Sequence, residues 1–110
     1  MRNLRIPAVL LMAAGTVLGA NTALAEGDAE AGKVKAYTCT GCHGIPGYKN
    51  VYPTYHVPKI GGQNEAYLNA ALIAYRDDQR QHSTMQLQAK ALSNQDIADI
   101  SAYFASLGSE

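Results

Sequence analysis

Apolar residues recur at helical spacing in two stretches of the chain, and nowhere do they alternate in the manner of a strand. Tyr67, Leu68, Ala71, Leu72 and Tyr75 form one stripe, and Ile97, Ile100, Phe104 and Leu107 another, with Tyr103 beside it. The first predicts a helix over about 64–76, with Asn64 as its cap. The second predicts a terminal helix that opens at Ser93-Asn94-Gln95-Asp96, a capping-box spacing with Asp in the acid position, and ends at Gly108. Ala29–Lys35 reads as a further helix, with Asp28 as N-cap and Glu30 in the first turn. Its interior Gly32 costs about 1 kcal/mol relative to alanine, which fits a close helix crossing or a tolerated accident equally well. A short helix is expected over 86–91. With no run that reads as a strand, the fold class is all-α: three main helices and a short one.

Two stretches fall outside this pattern. Residues 1–25 start with Arg2 and Arg5, continue as an apolar run from Ile6 to Ala20, and end on Ala23-Leu24-Ala25. That is a secretory signal peptide with cleavage expected before Glu26, and its apolar run is shorter than the ~20 residues of a membrane span. The domain is then 26–110. Residues 44–62 carry Gly44, Gly47, Gly61 and Gly62, three prolines (46, 53, 58) and three tyrosines (48, 52, 55). A connection of this length in a small domain usually serves a function, such as wrapping a bound group.

Removing the leader changes the charge. The whole chain is formally neutral, but residues 26–110 hold seven Lys/Arg against nine Asp/Glu, a net charge of −2. No basic patch suggests nucleic acid. A domain of this size commonly relies on a covalent or metal staple.

The staple is in Cys39-Thr40-Gly41-Cys42-His43. Two cysteines followed at once by histidine is the spacing of c-type haem attachment. Residues three apart share a helix face, so both thiols can reach the two vinyl groups of one porphyrin edge while His43 ligates the iron. A Cys39–Cys42 disulfide is the simplest rival. A thioredoxin-like dithiol lacks its strands, and a zinc site lacks ligands. A bound porphyrin would also supply a core for several helices, so the apo chain is expected to be poorly folded.

The sixth ligand follows by comparison of candidates. Met85 is the one methionine outside the leader, lies 42 residues after His43 and sits in a polar stretch read as a loop. Packing alone explains such a methionine poorly, and Met/His ligation raises the reduction potential. His82 and His56 are the rivals, each otherwise read as a surface residue. Arg76 and Arg80 suit the end of the helix before them, and either could pair with a haem propionate.

In these motifs the chain resembles the class I cytochromes c, particularly small bacterial periplasmic monohaem ones. The resemblance runs through Gly27-Asp28 with Gly32, Cys39-Thr40-Gly41-Cys42-His43-Gly44, Pro58-Lys59-Ile60-Gly61-Gly62-Gln63, Tyr67-Leu68, Tyr75-Arg76, Met85, Leu92-Ser93 and Tyr103. It implies one haem c with thioether links at Cys39 and Cys42, and axial ligation by His43 and Met85. It also implies that the Pro58 carbonyl orients the other ring nitrogen of His43, and that the outer helices cross at Gly32 and Tyr103. The loop from Gly44 to Pro58 is longer and richer in tyrosine than the family pattern.

The expectation is a periplasmic carrier that cycles iron between ferric and ferrous states, exchanging electrons with donor and acceptor proteins near Cys39 and Cys42. It is expected to be a monomer, with no membrane span after cleavage, no nucleic-acid partner and no reaction of its own to catalyse. The alternatives are the haem subunit of an oxidoreductase complex and a five-coordinate haem enzyme or gas sensor.

Overall fold

The computed structural model describes residues 25–44, 49–51 and 54–108. The expected leader lies outside them, apart from Ala25, as do Tyr48 and Tyr52. Among the described residues five helices follow one another: α1 (Ala29–Lys35), α2 (Tyr37–His43), α3 (Glu65–Arg76), α4 (Ser83–Lys90) and α5 (Asn94–Ser106). The all-α class therefore holds, with two refinements.

The first refinement is at Ala36, which separates α1 from α2 with φ −79° and ψ 6°. The hydrogen-bond ladder continues across it, through Ala36 N–H to the Gly32 carbonyl and Thr40 N–H to the Ala36 carbonyl. The second corrects the strand-free reading. Within the 44–62 connection, β1 (Lys49–Val51) and β2 (Thr54–His56) pair antiparallel, with Lys49 opposite His56 and Val51 opposite Thr54. Strands of three residues carry too little alternation to register in the hydrophobic pattern.

Caps close α1, α3 and α5 as the sequence implies. The Asp28 carboxylate accepts from Glu30 and Ala31 N–H, Asn64 Oδ1 accepts from Tyr67 N–H, and Ser93 and Asp96 form the reciprocal capping box. α1 crosses α5 closely enough that a Cβ on Gly32 would overlap the Asp99 carbonyl and approach the Tyr103 Cβ. The interior glycine is thus a requirement of the crossing. Asp99, buried on α5, fastens it: its carboxylate accepts from Asp28 N–H at 2.9 Å, Lys35 Nζ at 2.6 Å and Gln95 Nε2 at 2.8 Å. The Asp28 amide, ahead of Lys35 and Gln95, holds the Asp99 carboxyl down to about 2.

The core is Ala36, Leu68, Ile100 and Phe104, with Cys39, Ile60, Leu72, Leu92 and Tyr103 against it. α5 contributes most of the buried side chains, while Leu68 is the one buried residue of α3. One face of α3 is therefore left to line a cleft.

Candidate functional site

That cleft, of about 360 Å³, is bounded by α2, the 56–63 segment, α3, the 80–85 segment and α5. Cys39, Cys42, His43, Pro58 and Met85 all line it. Among the described residues α2 packs on α1 and α4 packs on α3, with no contact between α2 and α4. Cys39, Cys42 and His43 are thus presented from one wall and Met85 from another.

Cys39 and Cys42 stand one turn apart on α2, half-buried and not joined to each other. Burial pushes the Cys39 thiol above its ordinary value. His43 Nδ1 lies 2.8 Å from the Pro58 carbonyl oxygen. A carbonyl only accepts, so Nδ1 carries the proton and donates, and Nε2 keeps a free lone pair that can bind a metal. The hydrogen bond therefore sets both tautomer and ring orientation.

Met85 does not lie in a loop. It is the third residue of α4, whose cap is His82: the His82 Nδ1 accepts from Met85 N–H at 3.3 Å. Histidine is a rare N-cap, and Ser83-Thr84 are weak helix formers, so the start of α4 was not legible. His82 is likewise no plain surface residue. It is half-buried on the cleft wall, edge-on to the Tyr75 ring at 6.5 Å. His56, the other rival, is exposed at the cleft's margin.

The two arginines part company. Arg76 turns away, donating to the Leu92 carbonyl, Asn94 Oδ1 and Asp77 Oδ1 near the start of α5. Arg80 lines the cleft, its guanidinium 4.8 Å from the centroid of the Tyr75 ring and Nη1 donating to the Tyr67 hydroxyl at 3.3 Å. Sequence reasoning could not separate them, because both are cations just after the same helix.

It also passed over Ser101. This residue is fully buried, lines the cleft, and its hydroxyl has no hydrogen-bond partner among the described residues. An orphaned buried hydroxyl is costly unless a bound group or water completes it.

The residues fit an iron porphyrin. The walls offer Leu68, Leu72, Ile100 and Phe104 to an apolar disc, and Arg80 with Tyr67 to its carboxylates. An imidazole and a soft thioether are available to the iron, and two thiols to the ring's edge. Among the described residues no three His, Cys, Asp or Glu gather as a cage for a bare metal ion.

Comparison with known proteins agrees with this geometry. The family described as Cytochrome c matches residues 29–108. Cytochrome c-554(548) of Halomonas halodenitrificans is 45% identical over 83 residues, 73% of this chain and 96% of that protein. Cytochrome c4 of Pseudomonas aeruginosa is 44% identical over 74% of this chain, which spans only 39% of that longer protein. The cytochrome subunit of sulfide dehydrogenase of Chlorobaculum tepidum is 30% identical over 69% of this chain and 66% of its own length.

Proposed function

The chain belongs to the cytochrome c family, and from that premise we propose that it is an exported, monomeric, monohaem carrier passing single electrons between a donor and an acceptor protein. Haem c, covalently bound, supplies the Fe(III)/Fe(II) couple. Cys39 and Cys42 would hold it by thioether links. His43 Nε2 and Met85 Sδ would hold the iron. Pro58 keeps the proton on Nδ1, and Arg80, not Arg76, receives a propionate.

One observation carries this reading: the 2.8 Å contact between His43 Nδ1 and the Pro58 carbonyl leaves Nε2 free in the cleft that Cys39, Cys42 and Met85 also line. The chain's other residues limit rearrangement when the charge changes. α5 supplies a stiff apolar wall through Ile100 and Phe104, and α2 fixes both sulfurs and the imidazole on one element. Exchange with partners takes place on the α2 side, where Tyr37 and Gly41 are exposed beside the cysteines.

Residues 1–25 are the leader, cleaved before Glu26, and the mature protein is periplasmic. Among the described residues no helix is long and apolar enough to cross a membrane. The carrier has no substrate of its own and is not an enzyme by itself.

A second reading is favoured by the likeness to the sulfide dehydrogenase cytochrome subunit: a haem subunit dedicated to one catalytic partner. Native purification separates the two, since a dedicated subunit elutes with its enzyme and a carrier elutes alone.

Redox titration with absorption spectra tests the central assignment. Met85→Ala is expected to lower the reduction potential sharply and to open the ferrous protein to carbon monoxide. An unchanged potential would return the ligand role to His82 or His56. Fast, complete carbon monoxide binding by the unaltered protein would point instead to a five-coordinate enzyme or sensor.

A further inference from the structure

The turn between α3 and α4 contains Asp78 at φ 60°, the one non-glycine described residue in the left-handed region. Aspartate tolerates this conformation better than most residues, yet such strain persists only where its surroundings fix it. Here they do. Asp78 Oδ1 accepts from Gln86 Nε2 at 3.0 Å, Oδ2 accepts from Lys90 Nζ, and the Asp78 carbonyl accepts from Gln81 Nε2 at 3.0 Å. Lys90 Nζ also donates to the Arg76 carbonyl, the last of α3, at 3.2 Å.

Gln86, next to Met85 in the chain, links this turn to the start of α4. Its Oε1 accepts from His82 N–H at 3.0 Å, while its own N–H donates to the His82 carbonyl at 2.8 Å. His82 in turn accepts from Met85 N–H. The residue that caps the ligand's helix is therefore bound through both main-chain polar groups by Gln86, and Gln86 is anchored to Asp78.

We propose that Asp78, Gln86 and Lys90 are positioning residues that hold Met85 at the cleft wall, so that the thioether stays on the iron in both oxidation states. The proposal rests on Met85 being the axial ligand.

The chemistry of the cluster calls for an amide at position 86. One end must donate to a carboxylate, which only accepts, and the other must accept from a main-chain N–H, which only donates. Glutamate has the same shape but sets a second carboxylate against Asp78. Asp78→Asn in that background restores the pairing with its polarity reversed, because the new amide at position 78 can donate to the carboxylate introduced at position 86.

The test uses the holoprotein and three readouts: the far-red charge-transfer band of methionine-ligated ferric haem, carbon monoxide association with the ferrous form, and thermal melting. Gln86→Glu is expected to weaken the band and to speed carbon monoxide association roughly two- to tenfold, the scale of one partly exposed hydrogen bond. The double variant Asp78→Asn/Gln86→Glu is expected to bring both back toward the unaltered protein. Lys90→Met, which removes the other arm, should act in the same direction as Gln86→Glu.

A changed melting temperature with unchanged band and association rate in Gln86→Glu and Lys90→Met would overturn the positioning role and leave Met85 ligation standing. Absence of the far-red band from the unaltered protein would instead overturn the ligand assignment itself.

Discussion

The α1–α5 crossing and the α3–α4 side of the cleft are built on opposite terms. At the crossing, backbone meets backbone: Gly27 and Gly32 leave no room for a Cβ against Ala98 and Asp99, and Ile97, Ala98 and Ala102 are buried. On the other side, the apolar faces of Leu72, Tyr75 and Met85 are only half-covered by protein, and Tyr67 is 51% exposed. One region is complete as polypeptide. The other is a wall left open to the cleft, so the stability of the two should respond differently to the same perturbation.

The largest break of that contrast is loss of the staple. Cys39→Ala/Cys42→Ala should abolish covalent haem, leaving no colour with the denatured polypeptide after extraction. Hydrogen exchange should then show α3 and α4 unprotected, while any residual protection sits in α1 and α5. Equal protection in all five helices would contradict the division.

Gly32→Val attacks the other region. With a backbone carbonyl in the way, the helices must separate, and destabilisation of about 3 kcal/mol is expected in denaturant titration of the holoprotein. The visible spectrum of molecules that remain folded should be unchanged, because the crossing lies outside the cleft.

The acid limb of the stability curve sharpens the comparison further. Asp99 titrates near 4 when unfolded and at about 2 when folded. Its contribution is present above the unfolded value and is lost as pH falls through the folded one. The melting temperature should therefore drop between about pH 5 and pH 2, and Asp99→Asn should flatten that drop while lowering the plateau at neutral pH.

The smallest effect belongs to a residue of α4 that does not line the cleft. Leu87 is 74% exposed on α4, and Leu87→Gln should change stability by no more than about 0.5 kcal/mol. A larger loss in a melting experiment would mean that α4 has a covered outer face.

The two halves were also unequally legible in the sequence. The stripes of α3 and α5 and the Asp28, Asn64 and Ser93 caps follow from local rules of period and capping, and they were readable, whereas the Gly32 crossing was implied by the family resemblance. The cysteines and His43 were readable because attachment chemistry requires a fixed spacing. What escaped depends on distant partners. Asp99 lies 71 positions from the amide it binds at Asp28, and Ser101 is an ordinary serine until its neighbours prove to be cleft wall. The choice between Arg76 and Arg80 needed the position of Asn94. The hairpin escaped because three-residue strands hardly alternate, and the start of α4 because its cap is a histidine.

The partner of His43 is a main-chain oxygen, and that has a consequence for inheritance. Replacing the side chain at position 58 leaves a carbonyl in the chain, so the imidazole's proton is held by the path of the polypeptide and by no particular side group. A substitution survey would score position 58 as tolerant whenever the local path survives. The setting of the imidazole is therefore stored in geometry, where letter-by-letter comparison of sequences does not see it.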